Sequence, residues 1–173
     1  MARWHDPIAR RLIEAEGYLE LGLPQAALEI LQGRPEWATM QFEAHYLTGE
    51  TLRILDRCRD ALRSLEAADA LRPGRPEVAM ALGWCYKRTH RLAQAIDALD
   101  RARVRHPDNP LLCYNLACYW SLAGNVSKAL DELTLALELQ PSLFHLIPEE
   151  ADFNPIRQHP DFNRLTSQHA PQV

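Results

Sequence analysis

Residue types able to do chemistry are present in this chain, but not at spacings that would make them act together. The seven histidines, His5, His45, His90, His106, His145, His159 and His169, stand singly and far apart. None belongs to an HExxH segment, which would set two imidazoles on one helix face around a zinc ion. No GxGxxG, GxxxxGK[ST] or GxSxG stretch offers a phosphate cradle or a nucleophile elbow. The four cysteines, Cys58, Cys85, Cys113 and Cys118, form no CxxC pair and lie among apolar neighbours. They read as small buried residues rather than a zinc knuckle, a redox pair or a disulfide framework. The acidic pairs Asp131-Glu132 and Glu149-Glu150 read as solvated charge rather than a carboxylate dyad. A non-enzyme is expected, with no catalytic residue, cofactor, metal or small-molecule substrate.

Charge excludes a second class. Over 173 residues, 19 Lys and Arg face 23 Asp and Glu, a formal charge of −4. Nucleic-acid binding needs a continuous basic track on one face. The nearest approach, Arg53, Arg57 and Arg59 followed by Lys87, Arg88 and Arg91, is interrupted by acidic residues. No run approaches the roughly 18 apolar residues of a membrane span, and the first residues lack an apolar signal core. The expectation is a cytoplasmic protein with neither nucleic acid nor membrane as partner.

What the sequence does contain is a period. Pro73, Pro107 and Pro141 are 34 residues apart, and the same step relates Ala61, Ala95 and Ala129; Leu65, Leu99 and Leu133; and Ala68, Ala102 and Ala136. Upstream the columns continue through Gly49, Gly83 and Ala117 and through Leu52, Tyr86 and Trp120. Alanines seven apart share one helix face and let a second helix approach closely. Each proline then stops the helix that runs into it. The unit is therefore a pair of helices. Its internal turn is clearest at Gly124-Asn125, while Asp56-Arg57 and His90-Arg91 are poorer turn formers at the same place.

These columns resemble the tetratricopeptide repeat family, most closely over Pro76 to Pro107 with Leu82-Gly83, Tyr86, Ala95, Leu99, Ala102 and Pro107. The resemblance implies an all-α, right-handed solenoid with three repeats, residues 42–75, 76–109 and 110–141. Tyr18, Gly22, Ala27, Leu28 and Leu31 keep the register one period earlier, but Arg34 and Thr39 break it. Residues 1–41 are accordingly read as a degenerate helix pair ended by Gly33-Arg34-Pro35, with the next helix starting near Glu36 and Trp37 at the junction. Residues 142–173 leave the period and are rich in proline and aromatics, and they resemble the closing segment that follows terminal repeats in bacterial proteins. Exposed end faces of stacked repeats require such a cap. Thr166 to Val173 are expected to fray.

In the family the first helix of each pair lines the concave surface, which implies a partner-binding groove here. The free face of the 76–109 repeat carries Glu77, Met80, Trp84 and Lys87. Its equivalents are Glu43, Tyr46, Glu50 and Arg53 before it, and Leu111, Tyr114, Cys118 and Ser121 after it, with Asn115 adjacent. Tyr46, Met80 and Tyr114 would form an apolar row bordered by acids on one side and by Arg53 and Lys87 on the other. That row implies a protein or peptide partner with apolar anchors. Two other readings of the row stay open: gap filling between first helices, and occupation of the groove by the Phe-rich tail. The family's carboxylate clamp is absent, since its positions hold Tyr46, Glu50, Ala81, Leu111 and Asn115. The expected function is an interaction module or adaptor. The alternative is a small chaperone holding an aggregation-prone client, as in type III secretion.

Overall fold

The computed structural model describes residues 7–32 and 41–169. The junction expected at Gly33-Arg34-Pro35, Glu36 and Trp37 lies outside them. Among the described residues every regular element is helical: α1 (Pro7–Glu20), α2 (Pro24–Leu31), α3 (Gln41–Ile54), α4 (Cys58–Leu71), α5 (Pro76–Arg88), α6 (Leu92–Arg105), α7 (Pro110–Leu122), α8 (Val126–Leu139) and α9 (Pro160–His169). Short 3₁₀ turns at Pro141–Leu146 and Ala151–Phe153 separate α8 from α9. Proline occupies the first position of α2, α5 and α7, where its missing N–H removes a donor that has no helical acceptor anyway. The side chains of Asn109 and Asn125 accept from the first N–H groups of α7 and α8.

The chain forms two compact units, one up to Arg91 and the other from Leu92. In the first, α1 pairs with α2 and α3 with α4, and α5 packs on both α3 and α4. The small columns sit where helices meet: Ala61, Leu65 and Ala68 are fully buried, and a Cβ built on Gly49 would lie 2.5 Å from Leu65 Cγ. The Tyr86 hydroxyl donates to Glu66 at 2.8 Å, tying α5 to α4. In the second unit α6 packs on α7, α7 on α8, and α9 on α8, around Leu99, Leu112, Leu116 and Leu133.

The turns inside the helix pairs obey the period in backbone conformation. Gly22, Asp56, His90 and Gly124, each 34 residues from the next, have φ of 70°, 55°, 61° and 73°. Asp56 and His90 adopt the left-handed region despite their side chains, and Asp56 is braced by the Arg88 guanidinium at 2.9 Å.

The tail folds more completely than expected. The turn at 151–153 packs on α7, and the one at 141–146 packs on α8 and α9. Leu143, Ile147, Phe153, Ile156 and Phe162 are all buried. Thr166 to His169, expected to fray, complete α9, where Thr166 Oγ1 donates to the Phe162 carbonyl at 3.0 Å.

Candidate functional site

The free faces of the first helices differ between the two units. In the first unit α1 and α3 flank an apolar cleft of about 210 Å³ lined by Ala9, Leu12, Ile13, Glu16, Phe42, Glu43, Tyr46 and Leu47. Tyr46 is half-buried and stacks on Phe42, with ring centroids 6.3 Å apart. Burial is the main cause that pushes its phenol up to about 12, followed by the charges of Glu50 and Glu77, with Arg53 opposing them. The ring thus stays neutral at any physiological pH. On α5, Met80 is half-buried, while Trp84 remains 39% exposed. Ile13 on α1 is 47% exposed.

The charges bordering this face are compensated locally. Arg53 forks onto Glu50 through two bonds of 2.6 and 2.8 Å, and that contact holds its guanidinium proton more tightly than usual. Glu43 pairs with Arg72 at 2.8 Å, and Arg72 also lies over the Phe42 ring. Glu77 pairs with Arg75 at 2.7 Å, and the Lys87 ammonium sits 5.0 Å from the Trp84 ring centre. Such partly exposed pairs contribute about 0–1 kcal/mol each, so a guest can rearrange them at small cost. What persists on the face is its apolar surface.

In the second unit the equivalent face of α7 is closed. Tyr114, Cys118 and Ser121 are 5%, 2% and 0% exposed. The turn at 150–153 lies over them: Phe153 meets Tyr114 edge-on at 5.7 Å, and Phe162 packs behind Phe153 at 5.5 Å. Ser121 Oγ donates to the Asp152 carbonyl at 2.7 Å. The Tyr114 hydroxyl is buried with no hydrogen-bond partner among the described residues, and burial drives its ionisation well above the ordinary tyrosine range. This corrects the expectation that Tyr114 and Cys118 line an open groove. The aromatic tail takes that place because Phe153 and Phe162 bury there against a face that no further repeat covers. Asn115 Nδ2 donates to the Leu111 carbonyl of its own helix at 2.7 Å. The seal also gathers Cys118 Sγ and one carboxylate oxygen each of Glu150 and Asp152 within 4.8 Å of one another.

Sequence reasoning missed the contribution of α1 to this face. Ala9, Leu12 and Glu16 stand 34 residues before Glu43, Tyr46 and Glu50. Carrying the free-face columns one period further back would have found them.

A tetratricopeptide repeat family model matches residues 56–112. No curated protein matches the chain significantly. Among solved structures, one titled "MamA 41-end from Desulfovibrio magneticus RS-1" superposes with a TM-score of 0.74 at 20% identity, covering 95% of this chain and 91% of that one. A crystal structure of MamA gives 0.72 at 23% identity over 79% of this chain and 80% of that one. TTC0263, described as a thermophilic TPR protein in Thermus thermophilus, gives 0.66 at 21% identity over 94% of this chain and 97% of that one. At these identities the likeness speaks to fold. The chain thus carries tetratricopeptide-repeat sequence over residues 56–112, and over most of its length it has the fold of these solved structures, one of them a tetratricopeptide-repeat protein.

Proposed function

We propose that the chain is a non-enzymatic protein-binding module that holds a partner segment against the first-helix face of its first unit. Residues 42–75, 76–109 and 110–141 serve as its repeat units, and the partner is a cytoplasmic protein or peptide with apolar anchors. The observation that carries this reading is the apolar surface left in contact with water on α1, α3 and α5. Ile13 and Trp84 are exposed, the half-buried Tyr46 lies on the same set of helices, and an apolar cleft opens beside Tyr46. Large aromatics at such positions carry most of the binding energy in protein interfaces. No helix among the described residues is long and apolar enough to cross a membrane.

Selection of a displayed peptide library on the immobilised chain tests the reading. The selected peptides are expected to share apolar anchors and to bind the Trp84→Ala and Ile13→Asp variants at least about tenfold more weakly, the scale of one interface hot spot. Those variants should melt within about 1 kcal/mol of the parent, as surface substitutions do. Peptides that bind both variants as well as they bind the parent would remove the face from consideration.

A further inference from the structure

The seal over α7 does more than cover an apolar face. It brings together a thiol and two carboxylates from separate elements: Cys118 from α7, and Glu150 and Asp152 from the turn laid across it. Cys118 is buried and both carboxylates are partly buried. Such a cluster alone does not define a site. The second observation is Tyr114, one helical turn before Cys118 on the same face, 5% exposed, whose hydroxyl has no hydrogen-bond partner among the described residues. That hydroxyl lies within electrostatic reach of Cys118, Glu150 and Asp152. Phe153 fixes its ring from the edge. A buried hydroxyl left without a partner carries an uncompensated desolvation cost, which a group accepting from it would recover.

The geometry points to a zinc site: Cys118, Glu150 and Asp152 supply three protein ligands to one Zn²⁺ ion, and a metal-bound water in the fourth position accepts the hydrogen bond of the Tyr114 hydroxyl. Three features support this. The donor set is mixed, and one thiolate with two carboxylates suits Zn²⁺ better than Mg²⁺ or Ca²⁺, which take oxygen alone. The turn is braced on its main chain, with the Glu150 carbonyl accepting from Arg157 at 2.8 Å and the Asp152 carbonyl from Ser121 at 2.7 Å. Glu150 Oε1 also accepts from the Asp152 N–H at 3.1 Å, which orients the carboxylate. Charge closes as well: a thiolate and two carboxylates balance the double charge of the ion and the single charge of Arg157, the cation that also faces Tyr114. Binding converts the Cys118 thiol to a thiolate–zinc bond and releases its proton to solvent, one proton per ion.

Calorimetric titration of the metal-free full-length chain with ZnCl₂, in two buffers of different ionisation enthalpy, should show one ion taken up and about one proton released per chain. Co²⁺ in place of Zn²⁺ should give a thiolate-to-cobalt charge-transfer band in the near ultraviolet. Cys118→Ser should abolish the band and weaken Zn²⁺ binding at least about tenfold, while Tyr114→Phe should keep the band and weaken binding roughly tenfold, as loss of an outer-sphere partner does. Cys113→Ser, a buried thiol on the same helix, should leave both readings unchanged. Because a buried serine at 118 can disturb folding, Glu150→Gln and Asp152→Asn carry the test independently, with helicity checked by circular dichroism. Absence of zinc uptake at micromolar concentrations overturns the site. So does full affinity in the folded Glu150→Gln and Asp152→Asn variants, or a cobalt band that disappears with Cys113→Ser instead.

Discussion

Tyr46 and Tyr114 occupy the same column of the repeat, 68 residues apart, and meet opposite fates. Tyr46 lies half-buried beside an apolar cleft, ringed by glutamates and Arg53. Tyr114 is sealed beneath Phe153 with its hydroxyl stranded. The helices that present them are built alike, so the difference comes from the segment downstream of the last repeat. After α8 the register ends, and the aromatic turn at 150–153 is free to fold back onto the nearest uncovered face. A free face in a repeat is therefore a property of the whole unit that contains it, and the repeat alone does not determine whether it is open.

The sharpest way to break this comparison is to remove the seal. Phe153 is fully buried between Tyr114 and Phe162, and Phe153→Ala should destabilise the chain by about 3–5 kcal/mol in denaturant unfolding. A loss below about 1 kcal/mol, the range of surface substitutions, would mean the tail does not cap α7. Next in size is Gly49→Ala, whose new methyl would press on Leu65 at 2.5 Å and should cost about 1–3 kcal/mol. The same column holds Ala117 in the second unit, so an unchanged melt for Gly49→Ala would show that the contact in the first unit also has room for a methyl. In metal-free buffer, Tyr114→Phe should stabilise the chain by about 1 kcal/mol by deleting an unsatisfied buried hydroxyl, whereas Tyr46→Phe should change it by less than about 0.5 kcal/mol. Equal responses of the two tyrosines would erase the contrast. Smallest is His90→Gly, expected to raise stability by about 0.5–1 kcal/mol, because glycine tolerates the left-handed backbone that His90 is held in; a lowered melting temperature would refute it.

Much of this was legible in the period. Proline and alanine columns located the helices and their contacts, since each reflects a local rule: proline starts or stops a helix, and a small side chain permits close approach. Asp56 and His90 looked like poor turn formers when judged by local preference, yet both take the conformation of Gly22 and Gly124. At Asp56 the packing of α3 on α4 outweighs about 1–2 kcal/mol of backbone strain. The closure over α7 was legible only as one open reading, occupation of the groove by the Phe-rich tail, and the residues that make it were not. The tail's aromatics marked it as a cap, but Phe153 meeting Tyr114 and Asp152 meeting Ser121 are contacts across 39 and 31 residues that follow no period. The free-face assignment rested on angle around each helix, and angle cannot register a covering segment from elsewhere in the sequence.

The shared backbone shape at residues 22, 56, 90 and 124 has a consequence for how such a chain can change in length. A 34-residue cassette cut at two of these points begins and ends in the same conformation, so duplicating or deleting it creates no junction that the polypeptide does not already tolerate. Growth by whole cassettes keeps these turns in register and leaves the terminal lid on the α7 face that it already covers.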